Sequence, residues 1–155
     1  MESSLEALGT EYIDLYQVHW PDPATPIPET AAALADLVRE GLIRHVGVSN
    51  YTTEQITEFS AVLPVETVQP PYHLFRREIE ADLLPYAQAH DIGVLARVLA
   101  HPAVQVAIVG ALTPAHLEES VGALDLALSP SELAEIDGIM AAAVPFGGPA
   151  PEGMT

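Results

Sequence analysis

Four side chains with usable chemistry fall at the ends of short apolar runs. His19 follows "YIDLYQV", Ser49 and Asn50 follow "RHVGV", and Gln69 follows "VETV". Histidine moves protons near neutral pH, and hydroxyl and amide side chains both donate and accept hydrogen bonds. Each has a plainer reading when taken alone. His19 can be a polar residue capping a strand end, Ser49-Asn50 a strand-to-helix turn, and Gln69 a polar plug before Pro70. Their common place in the pattern is more informative, because α/β folds build their sites at the C-terminal ends of strands.

The elements that must position them are legible from periodicity. Residues 12–20, 44–50, 92–96 and 104–110 read as strands, and residues 65–75 start as one and are halted by Pro70 and Pro71. Helical spacing predicts helices over residues 25–43, 52–63, 78–91, 113–126 and 129–143. Thr52 or Thr53 caps the second of these, and Pro85 is an internal flaw in the third. This βαβα alternation with near-continuous apolar strands predicts parallel strands covered by helices.

One joint does not fit that pattern. Only "RVLAHPA" lies between Ala96 and Val104, and a parallel crossover needs about a dozen residues or more. Either the two strands are not parallel neighbours, or one is not a strand, or a segment is missing.

Composition narrows the function classes. The 155 residues predict one domain and are 49% hydrophobic, with 22 acidic and 5 basic residues giving a formal charge of −17. All five bases are arginine and there is no lysine. Such a chain repels phosphate backbones and anionic lipid, so neither nucleic acid nor membrane is expected as a partner. Absence of cysteine excludes disulfides and thiolate metal sites, and the six histidines show no paired metal spacing. The acidic start is no signal peptide, and a cytoplasmic location is expected. The Pro- and Gly-rich residues 144–155 read as a tail to a domain of residues 1–143.

Four blocks in order resemble the aldo/keto reductase family. They are "GTEYIDLYQVHWPD", "LVREGLIRHVGVSNYTTEQI", "VQPPYHLFRREIEADLLPYAQAHDIGVLA" and "VAIVGALTPAHLEESVGALDLALSPSELAEID". The resemblance implies an NADPH-dependent oxidoreductase of carbonyl compounds with a (β/α)8 barrel. It also implies an incomplete (β/α)8 TIM barrel here, with about five parallel strands and flanking helices. By this likeness the chain starts near the end of the third barrel helix. It lacks the loop and most of the helix after strand seven, which is where the short joint falls.

The resemblance assigns roles to the strand-end residues. His19 matches the histidine that orients the substrate carbonyl. Ser49, Asn50 and Gln69 match residues that hydrogen-bond the nicotinamide carboxamide, and Glu119 matches a glutamate that contacts adenine. Thr113 and Pro114 suit the start of a helix near the nucleotide phosphate. Leu112 stands where a basic residue commonly meets the 2′-phosphate. The family's catalytic tyrosine, lysine and aspartate have no matching positions, and a phenol with a pKa of about 10 needs such help to act as an acid. Two readings follow: an NADPH-dependent carbonyl oxidoreductase, or a non-catalytic remnant or assembly module that needs a partner to complete the barrel. Open barrel edges would favour self-association.

Overall fold

The computed structural model describes residues 1–73, 76–96, 104–109, 113–125 and 128–141. The described chain runs α1 (Glu2–Leu8), β1 (Ile13–Val18), α2 (Ile27–Arg39), β2 (Ile43–Ser49), α3 (Thr53–Ser60) and β3 (Thr67–Gln69). It continues through a 3-10 turn (Glu78–Glu80), α4 (Leu83–Ala89), β4 (Gly93–Ala96) and β5 (Val106–Ala107). The last elements are α5 (Pro114–Gly122), a 3-10 turn (Ala123–Asp125) and α6 (Pro130–Ala141). The expected tail, residues 144–155, lies outside the described residues.

Local chemistry explains the helix ends. Thr52 is the cap of α3: its hydroxyl accepts from the Gln55 N–H, and the Gln55 side chain accepts from the Thr52 N–H. After α2, Gly41 takes φ +75° and the chain turns back, with the Leu42 N–H bonded to the Leu37 carbonyl. The helix expected over residues 78–91 is instead a 3-10 turn followed by α4. Starting at Leu83 places Pro85 in the first turn, where its missing N–H leaves no gap in the hydrogen-bond ladder.

All five strands are parallel and lie in the order β1-β2-β3-β4-β5. Side chains alternate across the sheet. On one face Val46, Val48, Val68, Val94 and Ala96 are buried in a single cluster with Ala31 and Leu34 of α2, Ile56 and Phe59 of α3, and Leu83, Leu84 and Ala87 of α4. Each valine, leucine, isoleucine or phenylalanine among them contributes about 1.5–3 kcal/mol when fully buried, so this layer holds the helices to the sheet. The opposite, inner face is more polar than an apolar barrel interior. Gln17, Gly47, Thr67 and Gly93 stand in register across four strands.

The doubtful joint is resolved in an unexpected way. β4 and β5 are parallel neighbours, pairing Leu95 with Val106 and Ala96 with Ala107. β5 is two residues long, so the pairing involves only the last two residues of β4. Gln105 fastens the join: its side-chain oxygen accepts from the Val94 N–H at 2.7 Å, and its own N–H donates to the Val94 carbonyl at 3.1 Å. Residues 97–103 lie outside the described residues.

Candidate functional site

The C-terminal ends of β1, β2 and β3 are tied together by side chains from the predicted site. Asn50 adopts a left-handed backbone with φ 61°, which turns its side chain back over the strand ends. Its amide nitrogen donates to the His19 carbonyl at 2.9 Å and to Ser49 Oγ at 3.1 Å. Ser49 is buried, at 5% exposure, and its hydroxyl donates to the Gln69 carbonyl at 2.7 Å. Four of the five expected site residues are therefore brought to one place. Glu119 falls within α5, away from these strand ends in sequence and on a separate element.

A donor count sharpens the roles. A carboxamide nitrogen has two hydrogens, and Asn50 spends both on His19 and Ser49. Its Oδ1 is left as an acceptor. Ser49 has spent its only hydrogen on Gln69. The Gln69 side-chain amide makes no hydrogen bond among the described residues, so it retains both donors and its acceptor. A neutral carboxamide needs one acceptor for its N–H and one donor for its oxygen. Asn50 Oδ1 is an acceptor and the Gln69 amide a donor of the kinds that such a group would use.

Beneath this layer lies a second one that motif reading overlooked. Gln17 Nε2 donates to Thr67 Oγ1 at 3.2 Å, passing over Gly47. A Cβ at Gly47 would overlap Thr67 Oγ1 and come within 2.8 Å of Gln17 Nε2. Only glycine admits this bridge. Gln17, Gly47 and Thr67 precede His19, Ser49 and Gln69 by two positions, but only the register between strands sets them side by side.

His19 is exposed one residue beyond β1, its ring 6.4 Å from that of Trp20. It also lines a cleft of about 620 Å³ between β1 and α2, shared with Tyr16, Gln17, Val18, Glu29 and Leu34. At the other expected end of the nucleotide, Thr113 Oγ1 accepts from the His116 N–H at 3.3 Å and so caps α5. No arginine or lysine follows Arg97 in the sequence. The described residues contain no group of three or more His, Cys, Asp or Glu able to hold a metal.

Behind β3, Tyr72 donates to Glu80 at 2.6 Å, and Arg77 bonds both oxygens of Glu80 and also Asp137 of α6. Burial and the Glu80 carboxylate push the Tyr72 phenol up to about 12. This cluster pins the segment after β3 to the last helix.

A five-stranded parallel arc with helices on its outer face is an incomplete (β/α)8 barrel. The model of the aldo/keto reductase family matches residues 1–99. The chain belongs to that family. It is 55% identical over 95 residues to aldo-keto reductase YhdN of Bacillus subtilis, covering 61% of this chain and 29% of that protein. Methylglyoxal reductase YeaE of Escherichia coli is 32% identical over 194 aligned positions, covering 99% of this chain and 65% of that protein. That alignment is longer than the 155-residue chain, so it holds gaps opposite this sequence. The structure of an aldo/keto reductase from Klebsiella pneumoniae in complex with NADP and acetate superimposes with TM-score 0.80 at 33% identity, covering 90% of this chain and 62% of that one. The chain thus spans less than two thirds of each of these proteins. No described helix is long and apolar enough to cross a membrane.

Proposed function

We propose that this chain carries the nicotinamide-binding mouth of an NADP-dependent oxidoreductase of small carbonyl compounds. The observation that carries the reading is the hydrogen-bonded convergence of His19, Ser49, Asn50 and Gln69 on three adjacent strand ends. Asn50 Oδ1 and the Gln69 amide hold the carboxamide, Ser49 fixes Asn50, and Glu119 contacts the adenine. His19, exposed at the rim, orients the carbonyl oxygen of the substrate. When bound, the nucleotide supplies the hydride. Leu112 and the absence of any later cation leave the 2′-phosphate without a charged partner, so binding is weak. The working domain is residues 1–143, with residues 144–155 as a tail, and the location is the cytoplasm.

Reduction itself needs a proton donor, and a positioned acid is worth about 10²–10⁴ in rate. The tyrosine, lysine and aspartate of the family have no counterparts in this sequence. The chain alone therefore binds nucleotide without reducing carbonyls. Saturation-transfer NMR tests this: NADPH should receive saturation most strongly at its nicotinamide protons. No transfer to NADPH from a sample with a dispersed, folded spectrum would reject the reading.

One observation favours a second reading. β1 has a strand neighbour on one side only among the described residues. A chain of this form is also suited to act as an assembly module that gains activity when another polypeptide supplies further strands.

A further inference from the structure

Gln69 stands at the end of a short strand. β3 has three residues, Thr67, Val68 and Gln69, and pairs with β2 at three positions. Pro70 and Pro71 follow, and neither has an N–H with which to extend the ladder. The other end of β3 is held from a strand that is not its neighbour. Gln17 of β1 donates to Thr67 Oγ1 at 3.2 Å, a bond that spans 50 residues of sequence and crosses β2 at Gly47. Adjacent strands lie about 4.8 Å apart, so the two side chains together bridge about twice that distance. A Cβ at Gly47 would come within 2.9 Å of Gln17 Cγ as well as overlapping Thr67 Oγ1, so the absent side chain leaves room for the bridge.

The bridge lies about 6–7 Å below the rim, two residues before His19 on β1 and two before Gln69 on β3. At the rim, Asn50 and Ser49 bond the main-chain oxygens of His19 and Gln69, and each of these links crosses one strand boundary. Adjacent strands are rotated by about 20–25° from one another, so β1 and β3 differ by about twice that. Links at the rim alone let the outer strands rock about β2. A direct tie from β1 to β3 one pleat lower removes that freedom.

We propose that Gln17 and Thr67 are positioning residues whose bridge over Gly47 sets the spacing and tilt of β1 against β3, and so where the Gln69 amide stands relative to His19. The inference rests on the nucleotide-site reading above. It adds that contact with the nicotinamide is controlled from below, by two residues that do not touch it.

The test uses the whole chain, NMR and NADPH binding. Thr67→Val keeps the shape and removes the acceptor, Gln17→Met removes the donor from the other strand, and Thr67→Ser keeps the acceptor. Ile56→Val trims a fully buried side chain of α3 as a control for stability. Thr67→Val should shift and broaden the His19 imidazole resonances across the sheet, and Gln17→Met should do the same to the Gln69 side-chain amide. In both, NADPH affinity should fall about threefold to tenfold, with saturation transfer lost more at the nicotinamide than at the adenine protons. Thr67→Ser should restore the parent pattern. Ile56→Val should lower the urea midpoint and leave the nicotinamide-to-adenine ratio unchanged, which a merely structural role for the bridge would also predict for Thr67→Val. Unshifted His19 and Gln69 resonances with an unchanged ratio would overturn the inference and leave the nucleotide reading intact. No transfer to NADPH in any of the proteins would remove the nucleotide reading, and the cross-strand response of His19 and Gln69 would then decide the bridge by itself.

Discussion

Asn50 donates to the main-chain oxygen of His19 at 2.9 Å, bridging 31 residues of sequence and the ends of two strands. The contact explains why a residue with left-handed backbone ends β2. It fixes the rim where His19 projects and aims the free oxygen of Asn50 away from its own partners. Asn50→Ala should raise the mobility of His19, seen as line broadening of its imidazole resonances, and should abolish nucleotide binding. A sharp, unshifted His19 spectrum in that variant would contradict the role given to Asn50.

Ser49 is a brace within this network. Ser49→Ala removes the donor from the partly buried Gln69 carbonyl and the acceptor from Asn50, and should cost about 1 kcal/mol of stability. Urea unfolding followed at Trp20 measures this. In the folded state the variant should bind nucleotide more weakly than the parent and more tightly than Gln69→Leu, which loses the direct contact.

Gly47 underlies the same mouth. Gly47→Ala forces Thr67 and Gln17 apart and should cost about 1–3 kcal/mol. Adding Thr67→Ala removes the oxygen that the new methyl would overlap. The double variant should recover part of the loss, and strictly additive costs would contradict the close approach described.

The sequence made the strand ends legible and left their wiring hidden. "QVHW", "GVSN" and "VQPP" mark where apolar runs give way to polar residues, and these are the strand ends that Ser49 and Asn50 tie together. The parallel arc followed from helix–strand alternation. What could not be read was the backbone of Asn50, since a left-handed residue is set by tertiary hydrogen bonds. Nor could the spacing reveal that Gln105 would splice β5 beside the last two residues of β4. Pro85 looked like a flaw in a long helix because its tolerance depends on where the helix begins. The polar layer of Gln17 and Thr67 needed the register between strands, which periodicity within one strand does not supply.

Stability should fall at high pH through Tyr72. Its folded pKa of about 12 lies above the ordinary phenol value of 10, so the folded state holds the proton more tightly. The contribution is fully present below about pH 10 and is lost as pH rises toward 12. Burial also raises the Tyr51 phenol, so Tyr72→Phe should flatten part of this slope and leave a remainder. An unchanged slope in Tyr72→Phe would contradict the placement of its hydroxyl against Glu80.

The formal charge of −17 makes a separate prediction about salt. Raising ionic strength from about 0.01 M to 0.15 M shortens the screening length from about 30 Å to 8 Å. Self-repulsion then weakens, and the urea midpoint should rise with sodium chloride at constant transition slope. A midpoint that falls or stays level would show that the acidic groups are already compensated.

Trp20, beside His19, is the probe best placed to report whether Asn50 and Gln69 form a working carboxamide site. Its fluorescence is followed through urea unfolding with and without saturating NADPH, for the parent chain and for Gln69→Leu. A working site gives a cooperative transition that NADPH moves to higher urea in the parent and leaves in place in the variant. A parent transition indifferent to NADPH, or an equal shift in both proteins, would contradict it.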